Sequence, residues 1–137
     1  MTSETGIHGE FRLQGVPRPL PAEWEHELFH IGQEALTNAM RHAQASQFVA
    51  VLAYERTQVV FSLRDDGKGF DPAAAFREGI GLIGMHERAN AIGAELQVIS
   101  APGKGTEIVV LLRADLQQSE KTSDSVWGEA TTSGRIT

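Results

Sequence analysis

Cysteine is absent from the 137 residues of the chain. The sequence therefore offers no disulfide framework, no thiolate zinc site and no thiol redox chemistry. It also lacks any apolar run near the ~18–20 residues of a membrane span, and residues 1–20 lack the apolar core of a signal peptide. We therefore expect a soluble, cytoplasmic fragment without membrane contact of its own, although a longer parent protein could be anchored in a membrane.

Basic charge is also scarce, because 12 Lys and Arg residues stand against 18 Asp and Glu residues and the formal charge is −6. A protein that binds nucleic acid regardless of sequence needs a basic face, so no nucleic-acid partner is expected. A nucleotide ligand stays open, since backbone amides and Mg²⁺ can supply a local positive potential.

The order of the apolar segments predicts an α+β fold. Helices are expected over 22–43 and 81–92, and β-rich apolar runs predict strands over 7–13, 48–54, 59–63, 94–100 and 106–112. The strand at 7–13 should be half-buried, with Ile7, Phe11 and Leu13 facing inward. This order predicts a two-layer α/β sandwich, in which one mixed, mostly antiparallel sheet carries helices on one face. A flexible N-terminus at 1–6, one domain at 7–113 and a disordered polar tail at 114–137 complete the prediction.

The first predicted helix has two distinct faces. Its apolar face carries Trp24, Leu28, Ile31, Ala35 and Ala39 at helical spacing. A polar stripe on another side contains Glu27, His30, Glu34, Asn38 and Arg41. Such a stripe is usually solvated, but small alanines beside the short Asn38 would also let a ligand or a second backbone approach closely. Both interpretations stay open from the helix alone.

Two glycine-rich stretches follow, about a dozen residues apart. The first reads Asp-Asp-Gly-Lys-Gly-Phe at 65–70, directly after a β-rich run, and the second reads Gly-Ile-Gly-Leu-Ile-Gly-Met at 79–85, before the second helix. Glycine lets backbone N–H groups approach a ligand closely, and a helix N-terminus attracts anions. A carboxylate beside such a phosphate cradle indicates an ATP site.

Two short motifs match well-known patterns, but their surroundings do not fit. Residues 79–84 satisfy the dinucleotide fingerprint G-x-G-x-x-G, yet no apolar strand precedes them and no acidic residue follows about 20 positions later. Residues 26–30 satisfy the zinc-hydrolase pattern H-E-x-x-H, but no third ligand follows at a suitable spacing. The Rossmann interpretation therefore fails, and a zinc hydrolase remains only a remote alternative.

The order of the motifs is more specific than any one of them. Gln-Glu-Ala-Leu-Thr-Asn-Ala at 33–39, the two glycine stretches and Gly-Lys-Gly-Thr at 103–106 resemble the ATP-binding domain of the GHKL superfamily, with its N, G1 and G2 boxes. Gly-Leu-Ile-Gly-Met-His-Glu-Arg-Ala at 81–89 looks most like sensor histidine kinases that partner with LuxR-type response regulators. The resemblance covers roughly residues 7–113. It departs at Asp66, Ala94 and Arg113, where many members carry asparagine, glycine and proline.

The resemblance implies a role for each site residue. Asn38 would be the protein ligand of Mg²⁺, and Glu34 would orient or activate the attacking group. Asp65 would accept a hydrogen bond from the adenine amine, with Thr106 and a water nearby. Arg41 could line the phosphate side. The further residues implied to bind ATP are His42, Gly67, Lys68, Gly69, Phe70, Gly79, Gly81, Leu82, Gly84 and Met85.

The implied function is that of a protein-histidine kinase catalytic domain. It would bind Mg²⁺ and ATP and donate the γ-phosphate to a histidine on a separate dimerisation domain, which is not recognisable in this chain. A response regulator would act downstream, and the isolated fragment is expected to be a monomer with little activity of its own. The alternatives are a serine kinase of the anti-sigma-factor type and a nucleotide-binding module without activity.

Overall fold

The computed structural model describes residues 6–74 and 81–113. Its elements in chain order are β1 His8–Gln14, α1 Ala22–Arg41, β2 Gln47–Tyr54, β3 Val59–Asp65, α2 Leu82–Ala91, β4 Glu95–Ser100 and β5 Thr106–Leu112. The strands form one sheet in the order β1-β2-β3-β5-β4, in which β1 runs parallel to β2 and every other pair is antiparallel. The predicted mixed, mostly antiparallel sheet is therefore confirmed. The proposed domain limits stay predictions, and 114–137 lies outside the described residues.

Helix α1 confirms the predicted apolar face. Acidic Glu23 and Glu25 occupy its first turn, where they complement the helix dipole. All five predicted apolar residues are buried, and Asn38 from the polar stripe is buried with them. The helix ends at Arg41, two residues earlier than predicted. The N–H groups of His42 and Ala43 both donate to the carbonyl of Asn38, and Gln44 follows with a φ of 52°.

Helix α2 lies between two glycines of positive φ. Gly81 precedes it with a φ of 86°, and Gly93 follows its end with a φ of 69°. The N–H groups of Gly93 and Ala94 donate to the last carbonyls of the helix, at Asn90 and Ala89. Gly93 is therefore the C-terminal cap that the sequence predicts, because only glycine adopts this conformation without strain.

The core lies between one face of the sheet and the two helices. Every second residue of β3 and β5 is buried on this face, and apolar side chains fill it because their removal from water is the main driving force for folding. At one end of the sheet this alternation reaches Asp65 and Thr106, which are direct register partners. Two buried polar side chains thus stand next to each other at the rim of an apolar core.

Strand β1 differs from its prediction. Ile7 is buried, but Phe11 and Leu13 are 59% and 53% exposed. These side chains are exposed because β1 lies at one edge of the sheet, whereas α1 packs over β2 and β3. Within the described chain, neither helix is long and apolar enough to cross a membrane.

The β4–β5 turn makes a prediction about stability. Gly103 and Gly105 both have positive φ, 81° and 75°. A Cβ atom on Gly105 would lie 2.5 Å from the carbonyl oxygen of Asp65, whereas one on Gly103 would meet nothing within 4 Å. We expect Gly103→Ala to lower the free energy of unfolding by about 1 kcal/mol through φ alone, and Gly105→Ala to lower it by about 2–3 kcal/mol. Urea unfolding measures both, and equal losses would contradict the steric contribution at Gly105.

Candidate functional site

A small cavity lies beside the 65–70 loop, where α1 and β3 end and β5 begins. Five of the residues predicted to bind ATP line it, namely Asn38, His42, Asp65, Phe70 and Thr106. Its apolar walls come from Ala35, Ala43, Phe48, Leu63 and Ile108. The free volume is about 10 Å³, close to that of one water. A cavity of this size does not accommodate a purine ring unless its lining side chains move.

Asp65 supplies the charge in this cavity. Burial raises the pKa of its carboxyl above the ordinary value, and the neighbouring charge of Asp66 acts in the same direction. The backbone N–H groups of Gly67, at 2.8 Å, and Thr106 donate to it and oppose the shift. A partly desolvated carboxylate at the end of an apolar cavity is a strong acceptor for a ligand N–H group.

Asn38 supplies a free acceptor. Its Oδ1 atom is buried and has no hydrogen-bond partner among the described residues. An unsatisfied buried acceptor is costly, so its presence at a cavity wall points to a ligand. Amide oxygens are ligands that Mg²⁺ accepts together with phosphate oxygens and waters. The Oδ1 atom of Asn38 therefore fits the role of a protein ligand to Mg²⁺.

The glycines of the 65–70 loop are required by close packing. A Cβ on Gly67 would lie 2.6 Å from the backbone oxygen of Ala43, and one on Gly69 would collide with that of Ala101. Lys68 fixes the same loop, because its N–H donates to Ala43 and its carbonyl accepts from Gly103. The space that these glycines leave is thus occupied by the protein's own backbone, and any contact with purine or ribose stays a prediction.

Asp66 attaches this loop to the start of β2. Its carboxylate accepts hydrogen bonds from the N–H and hydroxyl of Ser46, at 2.8 and 2.7 Å, and from the N–H of Gln47 at 2.9 Å. These donors lower the pKa of Asp66. The two adjacent aspartates therefore differ in environment: Asp66 has three hydrogen bonds at the surface, while Asp65 faces the cavity.

Glu34 lies against the start of α2. A Cβ on Gly81 would collide with the Glu34 carboxylate, so glycine at this position is required by contact as well as by its φ of 86°. Two turns earlier on α1, the Glu27 carboxylate forms an ion pair with Arg88 of α2, at 2.8 Å. Glu34 does not line the small cavity, and its assignment as a catalytic residue stays a prediction.

The remaining predicted residues are spread around the site. Lys68, Arg41 and Gly84 are exposed, and Gly79 lies outside the described residues. Leu82 and Met85 are each 1% exposed and belong to the core, so only their backbones could reach a ligand. Their contacts with ATP stay predictions.

Sequence reasoning missed Ser100. This residue lies opposite Thr106 in the β4–β5 register, and its hydroxyl contacts three other groups of the site. The available signal was the tight turn at 102–105, which makes the residues on either side of it neighbours across the two strands.

The histidines of H-E-x-x-H do share a helix face, with ring centroids 4.6 Å apart. Among residues 6–74 and 81–113, however, no third His, Cys, Asp or Glu completes a metal-binding group. Glu27, which a hydrolase would need as its base, is paired with Arg88. The geometry gives the zinc hydrolase no support.

The sheet order and the helices on one face define the class of fold: a two-layer α/β sandwich. It matches the ATP-binding domain of PrrB from Mycobacterium tuberculosis (TM-score 0.54, 23% identity, 76% of this chain and 79% of that one). It also matches the histidine kinase domain of a blue-light activated kinase from Erythrobacter litoralis (TM-score 0.61, 23% identity, 81% and 54%). These likenesses confirm the fold.

The chain belongs to the family of histidine kinase-, DNA gyrase B- and HSP90-like ATPases, whose profile matches residues 25–116. Its relatives include the signal transduction histidine-protein kinase/phosphatase DegS of Brevibacillus brevis, 35% identical over 106 residues. The sensor histidine kinase LiaS of Bacillus subtilis is 38% identical over 117 residues. Each alignment covers 77% of this chain, which spans only 28% of DegS and 32% of LiaS.

Proposed function

We propose that this chain is the ATP-binding catalytic domain of a sensor histidine kinase. It binds Mg²⁺ and ATP and donates the γ-phosphate to a histidine on a separate dimerisation domain. The observation that carries the proposal is that the Asp65 carboxylate and Asn38, whose Oδ1 has no partner among residues 6–74 and 81–113, line the same cavity. The names of the sensor kinase relatives support it, although the chain spans only about a third of their length.

Each group has a distinct task in this proposal. Asp65 accepts a hydrogen bond from the exocyclic amine of adenine, and the apolar walls of the cavity exclude water from the ring. Asn38 offers its Oδ1 to the cation, and bound Mg²⁺ neutralises charge on the phosphates. Glu34, one turn earlier, orients the attacking imidazole, since a carboxylate can hold its N–H.

Phosphoryl transfer needs mainly positioning and charge neutralisation, so the protein contributes geometry rather than covalent chemistry. The partner that supplies the histidine is a phosphoacceptor domain, and a response regulator receives the phosphate from it. In this proposal the chain alone is a monomer that acts in the cytoplasm and transfers little phosphate, because the acceptor histidine belongs to the separate dimerisation domain.

A labelling experiment tests the kinase proposal. The chain is incubated with Mg²⁺ and γ-labelled ATP, together with either a histidine-bearing helix pair from a relative such as LiaS or an anti-sigma-factor antagonist protein. We expect acid-labile label on the helix pair, since phosphohistidine hydrolyses in acid. Acid-stable label on the antagonist would identify a serine kinase instead. Label on neither, despite ATP binding, would identify a nucleotide-binding module without kinase activity.

A further inference from the structure

Ser100 connects three parts of the site through one hydroxyl group. Its Oγ accepts from the backbone N–H of Phe70 at 3.0 Å and donates to the carbonyl of Gly105 at 3.0 Å. It also lies 2.8 Å from the hydroxyl oxygen of Thr106. The 65–70 loop, the β4–β5 turn and the cavity wall therefore meet at this one atom.

The direction of the third hydrogen bond follows from the other two. A serine hydroxyl has one hydrogen and two lone pairs. The carbonyl of Gly105 can only accept, so it takes the hydrogen of Ser100; the N–H of Phe70 can only donate, so it takes one lone pair. The contact with Thr106 is then a hydrogen bond that Thr106 donates to the second lone pair of Ser100.

This direction fixes what Thr106 offers to the cavity. Since its only hydroxyl hydrogen points at Ser100, a ligand or a bridging water meets the lone pairs of Thr106 and no donor. Asp65, its neighbour across the β3–β5 register, is also an acceptor. Both polar side chains at this end of the cavity thus require hydrogen-bond donors from what binds there.

We propose that Ser100 is a positioning residue that holds the Thr106 hydroxyl as an acceptor and thereby makes the site prefer a 6-amino purine over a 6-oxo purine. The inference rests on the proposed ATP site and adds a residue to its base selectivity. Adenine presents an amine at this position, whereas hypoxanthine presents a carbonyl oxygen that would face two acceptors. Without Ser100, the Thr106 hydroxyl can rotate and donate to that oxygen.

The test compares ATP with inosine triphosphate by calorimetry at one Mg²⁺ concentration, on the wild-type chain and on Ser100→Ala. We expect the ratio of the two dissociation constants to move toward equality by about three- to tenfold, the value of one neutral hydrogen bond. Ser100→Thr keeps the hydroxyl and should restore the wild-type ratio. Ser62→Ala, on β3 and the opposite face of the sheet, is the matched control and should leave it unchanged.

A purely structural role for Ser100 would weaken both nucleotides equally, so an unchanged ratio in Ser100→Ala would overturn the inference. A second arm repeats the substitution in a Thr106→Val background, where no hydroxyl remains to turn and Ser100→Ala should no longer change the ratio. A change of the same size there would also overturn it. A folded wild-type chain that binds neither nucleotide would instead contradict the proposed function itself, and the inference with it.

Discussion

Asp65→Asn is expected to weaken ATP binding by about 10- to 150-fold, which corresponds to the ~1.5–3 kcal/mol of a hydrogen bond to a charged group. The amide keeps one acceptor oxygen, and the N–H of Gly67 already donates to the native carboxylate there. The new NH₂ group would then face the adenine amine, so two donors would meet where the wild type has a donor and an acceptor.

The same substitution should affect stability in the opposite direction. Burial raises the pKa of Asp65 above its ordinary value of 3.8. A carboxyl group with a raised folded-state pKa stabilises the fold fully below the unfolded pKa, and this stabilisation is lost as the pH rises through the folded-state value. At neutral pH the Asn variant should therefore be at least as stable as the wild type toward urea. Below about pH 3 the advantage of the variant should disappear.

Calorimetric titration with ATP, paired with urea unfolding at neutral and acid pH, measures both effects. Asp66→Asn is the matched control, because it makes the same change one residue away on a side chain bound to Ser46 and Gln47. We expect Asp66→Asn to change ATP affinity only slightly, since an amide can keep the contacts with Ser46 and Gln47. Equal losses of affinity in the two variants would place the base contact elsewhere than Asp65.

Asn38→Ala should remove most of the effect of Mg²⁺ on ATP affinity while leaving the nucleotide-free protein as stable as before or more so. The loss of one oxygen ligand should reduce the gain from Mg²⁺ by at least about tenfold. The native Oδ1 is buried without a partner among the described residues, and removing such an acceptor relieves about 1–3 kcal/mol. Alanine also suits the middle of a helix better than asparagine does.

Thermal unfolding without nucleotide and ATP titration with and without Mg²⁺ separate these effects. Asn90→Ala, at an exposed position of α2, has the same gain in helix propensity without a buried acceptor. We expect the melting temperature to rise more for Asn38→Ala than for this control. If Asn38→Ala instead melts well below the wild type and keeps its response to Mg²⁺, Asn38 is a structural residue.

The sequence predicts most of this fold, because its periodic patterns have local causes. The apolar spacing of Trp24, Leu28 and Ile31 decides which face of α1 is buried, and Gly93 marks where α2 ends. The exposure of Phe11 and Leu13 could not be predicted in the same way. Alternation indicates a strand, but whether a second layer covers it depends on its place in the sheet.

For the candidate site, too, local sequence patterns were informative and the position in the fold was not predictable. Asn38, Asp65 and Thr106, which the motif order assigns to one site, line one cavity, and their contacts with ATP stay predictions. The tight turn at 102–105 could have indicated that Ser100 faces Thr106. The partners of Asp66 were not predictable, because Ser46 and Gln47 lie about 20 residues earlier, at the start of a strand whose register no short pattern encodes. The burial of Asn38 was likewise not predictable, since helical spacing alone places it on a polar stripe.

Strand β1 lies at one edge of the sheet, away from the candidate site. It precedes residue 25, where the match to the family begins, and it lies two strands away from the β3–β5 pair that carries Asp65 and Thr106. The strand carries the exposed Glu10–Arg12 ion pair, and charged groups on an edge strand discourage other sheets from adding to it. Substitutions in β1 are therefore expected to alter solubility and self-association more than they alter the cavity that Asp65 and Thr106 line.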